Sequence, residues 1–238
     1  MTEPYRLEIT GPGRNALGTA VMLDVIGQLK RAGDRAVLLT GAGEAFSAGL
    51  NLKEVASLDA PGMERFLLLL DELIDAVFDY PGPIVACVNG HAIAGGCVLA
   101  LCCDLRIAVD DPAVRIGLNE VALGLEFPPK ILRLVEHRVP RHTIARVLLE
   151  AGLYPPRTAL ALGLVDEVAA DAPSAATAAL ARLAAHPRAI YASTKAVTRR
   201  GALALGAEDQ RYFRETVVPR WCAPAVKERV AAALKPRA

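Results

Sequence analysis

Two stretches of this 238-residue chain repeat one pattern: an apolar run, a turn of small residues, then helical spacing. Arg35-Ala36-Val37-Leu38-Leu39-Thr40 leads into Ala45-Phe46-Ser47-Ala48-Gly49. Pro83-Ile84-Val85-Ala86-Cys87-Val88 leads into Gly90-His91-Ala92-Ile93-Ala94-Gly95-Gly96-Cys97. Each apolar run reads as a buried strand. A strand that turns into a helix on small residues leaves backbone N–H groups unpaired, aimed at whatever binds there. Two such turns can converge on one oxygen, as a carbonyl oxygen that gains negative charge during a reaction requires.

The rest of the chain fits a mostly parallel α/β core followed by helices. Strands are expected at Tyr5–Ile9, Ala36–Thr40, Ile84–Val88, Leu105–Val109, Val114–Leu118 and Leu164–Val168. Apolar spacing predicts helices over Thr19–Arg31, Pro61–Asp79 and Gly95–Cys103. Beyond Phe127 helices dominate, at 129–137, 142–151, 156–162, 175–185, 187–200, 208–217 and 223–234. The alanine-rich stretch 169–185 reads as a simple surface helix. The division expected is a core over 1–168 and a helical region over 169–238, acting as one unit.

Composition excludes several classes. Hydrophobic residues make up 53%, enough for a large core, and net charge is +1, with no basic excess or patch for nucleic acid. No apolar run is long enough to cross a membrane, because 66–77 carries Asp71, Glu72 and Asp75. Met1-Thr2-Glu3-Pro4 lacks a secretory leader pattern, so a cytoplasmic protein is expected. The five cysteines show neither metal-ligand nor disulfide spacing, and no metal is expected. His91 reads as a turn histidine bonded to backbone, and Cys97 as a packing residue.

In order, Phe46-Ser47-Ala48-Gly49-Leu50-Asn51-Leu52, Asn89-Gly90…Ala94-Gly95-Gly96-Cys97, Cys103-Asp104-Leu105-Arg106-Ile107-Ala108, Gly117-Leu118-Asn119-Glu120 and Ala161-Leu162-Gly163-Leu164-Val165-Asp166 resemble the crotonase, or enoyl-CoA hydratase/isomerase, superfamily. The resemblance covers Asn15 to Val168. It implies a crotonase-like α/β spiral of β-β-α units with a C-terminal helical trimerisation region, assembled as a trimer or a dimer of trimers. It implies acyl-CoA thioester substrates, with coenzyme A entering as part of the substrate and no separate cofactor. The oxyanion-hole amides are carried onto Ser47 and Gly95. Substrate-binding positions are Ala45, Ala48, Gly49, Leu50, Asn51, Leu52, Gly96, Val98, Leu123 and Phe127. Coenzyme A phosphates are assigned to Lys53, or to Lys227 or Arg229 of a neighbouring subunit. Only about fourteen residues precede the Asn-Ala-Leu segment, enough for one strand where the family has two. Asn51 replaces the family's common Asp.

A thioester stabilises charge at its α-carbon as an enolate, and proton movement then needs a base. Hydratases carry carboxylates at the positions of Val98 and Glu120; here only Glu120 remains. One carboxylate suits removal of a proton from C2 and its return to C4. Gly117–Leu125 looks especially like the Δ3,Δ2-enoyl-CoA isomerases, so isomerisation of 3-enoyl-CoA to trans-2-enoyl-CoA is expected. A hydratase or acyl-CoA hydrolase using Glu126 as a second acid, and a non-catalytic acyl-CoA-binding homologue, are the alternatives.

Overall fold

Three apolar strands, β2 (Val37–Gly41), β4 (Ile84–Val88) and β6 (Leu105–Val109), must each be covered on two faces. In the computed structural model, which describes residues 3–233, they lie parallel in one sheet. With β1 (Tyr5–Ile9) and β8 (Glu167–Ala169) at the edges, the order is β1-β2-β4-β6-β8. Three short strands, β3 (Ala45–Ser47), β5 (His91–Ile93) and β7 (Ile116–Gly117), form a second parallel sheet of order β3-β5-β7. The chain alternates between the sheets and adds a helix after each pair. The result is the expected spiral of β-β-α turns, followed by helices.

Side chains alternate across the large sheet, as strand geometry requires. Val37, Leu39, Ile84, Ala86 and Val88 face the main core, where helices Thr19–Ala32 and Ala60–Phe78 pack. Leu38, Val85, Cys87 and Ile107 face the other way, against Ala172, Ala176, Ala179 and Leu180 of helix Ala172–Ala184. The alanine-rich stretch is therefore more than a surface helix. Its alanine stripe lets the helix backbone lie close on the sheet and closes the second face.

Several expected boundaries shift. The small-residue turns each contain a three-residue strand, the strand expected at 164–168 is centred later, and the one expected at 114–118 shortens to Ile116–Gly117. Helix Leu52–Ser57 escaped the periodicity because it is so short. Leu234, the expected end of the last helix, lies outside the described residues. Before Asn15 there is one described strand, β1. At the edge of the small sheet an isolated parallel bridge, Leu17 with Leu50, takes over.

Buried charges tie the helical region to the core. Asp104 accepts from the Ile84 N–H (2.8 Å), the Tyr191 hydroxyl (2.8 Å), Lys195 Nζ (2.8 Å) and Arg199 Nη2 (2.7 Å). Arg106 holds Asp166 through Nε (2.8 Å) and Nη2 (2.6 Å). Two of the family-like motifs are thus clamps, Asp104 on helix Arg188–Arg199 and Arg106 on the turn before β8. Arg138 donates to the Leu101 and Cys103 carbonyls, closing the C-terminal end of helix Gly95–Cys102. Removing one partner from a buried ion pair strands the other charges, at about 3–5 kcal/mol. Asp104→Ala is therefore expected to lower unfolding free energy by that amount in urea titrations at pH 7. A loss under about 1 kcal/mol would show that the cluster is not a clamp.

Candidate active site

The site begins with a segment before the first long helix. Gly13, Arg14 and Asn15 all have left-handed backbone, with φ of 61°, 64° and 60°. This tight turn aims main-chain and side-chain groups at the first small-residue loop. Asn15 Nδ2 donates to the Ala42 and Ala45 carbonyls (both 2.8 Å). The Asn15 carbonyl accepts from Ser47 Oγ (2.8 Å), and the Arg14 carbonyl accepts from the Ala48 N–H (3.0 Å). Asn89 knits the neighbouring turn, donating to the Gly41 and Gly43 carbonyls and accepting from the Gly41 N–H.

The two loops then meet with almost no space between their backbones. A Cβ on Gly49 would lie 2.6 Å from the Ile93 carbonyl oxygen and 3.3 Å from the Gly95 nitrogen. A Cβ on Gly96 would lie 2.3 Å from the Ser47 carbonyl oxygen. Ala94, between them, has φ 49° and ψ −119°, a conformation a non-glycine residue holds only under strain of about 1–3 kcal/mol. Its N–H is pinned to the Gly117 carbonyl at 2.8 Å. Helix Gly95–Cys102 starts here, and its first internal bond runs from the Val98 N–H to the Ala94 carbonyl. The Gly95 N–H precedes that bond and has no intrahelical partner.

These loops border a cavity of about 550 Å³ lined by Ala48, Leu50, Leu52, Gly95, Asn119, Glu120 and Leu123, among others. Leu70, Leu125, Pro128, Ile131, Leu153 and Trp221 also line it, and Arg14 is the one cation lining it among the described residues. Ala232 reaches it from helix Pro224–Ala233, which packs on its own chain: Lys227 Nζ donates to the Leu58 carbonyl (2.9 Å). Arg229 abuts Gly124, and Arg229 and Lys53 are both exposed. Two further cavities of about 550 and 520 Å³ flank helix Arg188–Arg199, where Lys195 and Arg199 are already paired with Asp104.

Glu120 is 4% exposed, and its Oε2 has no hydrogen-bond partner among the described protein groups. Burial pushes its carboxyl up to about 7. Asn119 Oδ1, beside it, is buried and equally without a partner.

The structure corrects several sequence-based assignments. Ser47, expected to offer its backbone N–H, is fully buried, sits opposite Ala92 in the β3–β5 ladder and does not line the cavity, and its hydroxyl bonds the Asn15 carbonyl. In this loop the Ala48 N–H is used by Arg14, the Gly49 N–H by Ser47 Oγ (3.2 Å) and the Asn51 N–H by the Leu17 carbonyl. The N–H left without a partner among the described residues is that of Leu50, whose side chain lines the cavity. Small-residue composition located this loop but not its free amide, which depends on contacts from Arg14, Asn15 and Leu17. Ala45 belongs to β3, and Gly49 and Gly96 serve backbone contact; none lines the cavity. Asn51 caps helix Leu52–Ser57, accepting from the Lys53 and Glu54 N–H groups. Val98 and Phe127 sit in the core rather than the cavity wall, because helix Gly95–Cys102 is buried on every side and the chain turns Leu125 and Pro128 inward instead. His91 Nδ1 accepts from the Arg115 N–H (2.9 Å), the turn role expected.

Glu126 is not a second acid facing the cavity. Its carboxylate accepts from the Tyr212 hydroxyl and Arg220 Nη1 (2.7 Å), and its carbonyl accepts from Trp221 Nε1 (2.7 Å). The Tyr212 hydrogen bond, followed by Arg220, holds its carboxyl below the usual range. It fastens the C-terminal helices over the site. Glu126→Ala is expected to lower Tm by several degrees while leaving the shape of any pH–rate profile unchanged. Loss of a fall in rate at high pH would restore Glu126 as an acid.

Glu120 gives a stability signature as well. Its folded value exceeds its ordinary 4.5, so the folded chain binds the proton more tightly between 4.5 and about 7. Stability contributed by the neutral form is complete below 4.5 and declines as pH rises through about 7. Glu120→Gln removes that loss. Relative to the parent it should gain stability with rising pH, by roughly 3 kcal/mol at pH 8 and almost nothing at pH 4.5. A pH-independent difference between the two unfolding curves would contradict burial of an ionisable Glu120.

Comparison with known proteins agrees with this geometry. The family model described as enoyl-CoA hydratase/isomerase matches residues 6–227. The human mitochondrial enoyl-CoA delta isomerase 1 is 31% identical over 201 residues, 82% of this chain and 67% of that protein. A putative enoyl-CoA hydratase of Thermus thermophilus is 44% identical over 141 residues, 58% of this chain, and the match spans 54% of that protein. The crystal structure of human mitochondrial Δ3-Δ2-enoyl-CoA isomerase superposes with a TM-score of 0.91 at 27% identity, covering 97% of this chain and 92% of that one. With a β-β-α spiral, two backbone-to-backbone turns and one buried glutamate on the cavity wall, the chain belongs to the enoyl-CoA hydratase/isomerase family.

Proposed function

We propose that this chain isomerises 3-enoyl-CoA to trans-2-enoyl-CoA, with coenzyme A entering only as part of the substrate. The observation that carries the reading is Glu120, the one carboxylate lining the cavity among the described residues, buried and with an oxygen that has no protein partner there. The thioester oxygen sits between the Leu50 and Gly95 N–H groups, which stabilise the charge it gains. One such donor is worth about 2.7–4 kcal/mol in the transition state. Glu120 takes a proton from C2, the electrons delocalise into the thioester as a dienolate, and the same proton returns to C4. The double bond moves from C3–C4 to C2–C3, with no atom gained or lost.

The surroundings support isomerisation over hydration. Hydration is helped by a second polar group to hold or protonate, and the position that would carry it is the core residue Val98. Glu126 is tied to Tyr212 and Arg220. Most of the other lining residues are apolar, which suits an acyl chain. Arg14, exposed and lining the cavity, is the cation placed to meet an anionic end of the substrate. Helix Arg188–Arg199 leaves Ile190 and Val197 exposed, which favours a homo-oligomer, a trimer or a dimer of trimers. Among the described residues no helix is long and apolar enough to cross a membrane.

The test is turnover of a 3-enoyl-CoA and a trans-2-enoyl-CoA by the parent and by Glu120→Gln. The expected results are conversion of the first to the 2-enoyl product, no 3-hydroxyacyl-CoA or free acid from either, and a loss of 10²–10⁴-fold in the variant. Because the ionised form is the base, kcat/KM should rise with pH and level off above about 7. Accumulation of 3-hydroxyacyl-CoA would replace the reading with a hydratase, and binding of both esters without turnover would replace it with an acyl-CoA-binding role.

A further inference from the structure

Two successive residues of the cavity lining each carry a buried hydrogen-bond acceptor, and neither acceptor has a donor among the described residues. One is Glu120 Oε2 and the other is Asn119 Oδ1. Asparagine ahead of a helix ordinarily turns its side chain onto the first helical amides. Asn119 occupies that position before helix Glu120–Leu123 and makes no such bond. Its carboxamide oxygen is left without a protein donor.

A buried acceptor without a donor is destabilising, so the arrangement calls for a donor in some state of the protein. An enoyl thioester brings only C–H groups to this part of the cavity. Nearby titratable groups do not supply one. Cys97, from helix Gly95–Cys102, is fully buried, and the Gly117 N–H bonds its sulfur. Arg14 lies at the exposed side of the cavity. Helix Ala60–Phe78 brings Leu70, helix Pro129–Arg138 brings Ile131, and helix Pro224–Ala233 brings Ala232, all apolar. The donor that the proposed reaction itself creates is the carboxylic O–H of Glu120, present between proton removal at C2 and delivery at C4. One proton then satisfies both acceptors.

We propose that Asn119 is a positioning residue whose carboxamide oxygen accepts a hydrogen bond, directly or through one water, from protonated Glu120 and so keeps the migrating proton in the cavity. The proposal rests on the isomerase reading above. Its function is retention: with the O–H held, the proton taken from C2 reaches C4 before it exchanges with solvent.

The experiment is isomerisation of an unlabelled 3-enoyl-CoA in D₂O, with the fraction of product lacking deuterium at C4 read by mass spectrometry. The parent, Asn119→Leu, Asn119→Ser and Glu120→Gln are compared. The parent should retain hydrogen in a measurable fraction of turnovers. Asn119→Leu, similar in size but without an acceptor, should lower that fraction about threefold or more and lower kcat about tenfold, with KM within about twofold. Asn119→Ser, which restores an oxygen acceptor, should recover part of the retained fraction. Retention is counted per turnover, so a poorly folded variant does not move it. Complete exchange in the parent, or equal retention in the parent and Asn119→Leu, overturns the proposal while leaving the isomerase intact. Full activity of Glu120→Gln would instead overturn the base assignment beneath it.

Discussion

Everything at the site depends on two backbones touching. Gly49 lies against the Ile93 carbonyl and the Gly95 nitrogen, and Gly96 lies against the Ser47 carbonyl. No side chain fits between them, so the first loop and the start of helix Gly95–Cys102 are locked together by main-chain contact. The strained Ala94 is held from the other side by the Gly117 carbonyl, which belongs to the strand leading to Glu120. One junction therefore sets the relation of three successive turns of the spiral. The two sheets bring these turns together because each turn of chain places one strand in each sheet.

The electrostatic logic follows from that packing. Closing the loops and laying the C-terminal helices across them removes water from Glu120, and burial then favours its neutral form. A carboxyl poised near neutrality can take and give back a proton with little penalty either way. Glu126, six residues later, experiences the opposite environment. It meets a hydroxyl and a guanidinium, remains ionised and acts as a fastener. Two glutamates on one short stretch thus receive different tasks from their neighbours alone.

The sequence made the long central strands, the two small-residue turns and Glu120 legible, because apolar runs, clustered small residues and a lone acid among apolar neighbours are local signals. It did not show which amide of the first loop stays free. That choice is made by Arg14, Asn15 and Leu17, about thirty residues earlier, through a run of left-handed backbone that only Gly13 hints at. Val98 and Phe127 looked like pocket residues because they stand beside motif positions, yet the all-buried helix and the turn after Gly124 rotate them into the core. The role of the alanine-rich helix was equally hidden, since alanine spacing does not reveal whether a surface or a sheet lies opposite.

In the proposed reading the Leu50 and Gly95 donors are peptide groups, which every residue but proline carries. Substitution can disturb their placement but rarely delete them, whereas Glu120 vanishes with a single codon change. A lineage built on this scaffold would lose or exchange its chemistry far more readily than its grip on a polarised carbonyl. Relatives that keep the loops and vary the residue at 120 would then be ligand carriers or new catalysts, and likeness across the glycine turns would report what such a protein holds rather than what it does to it.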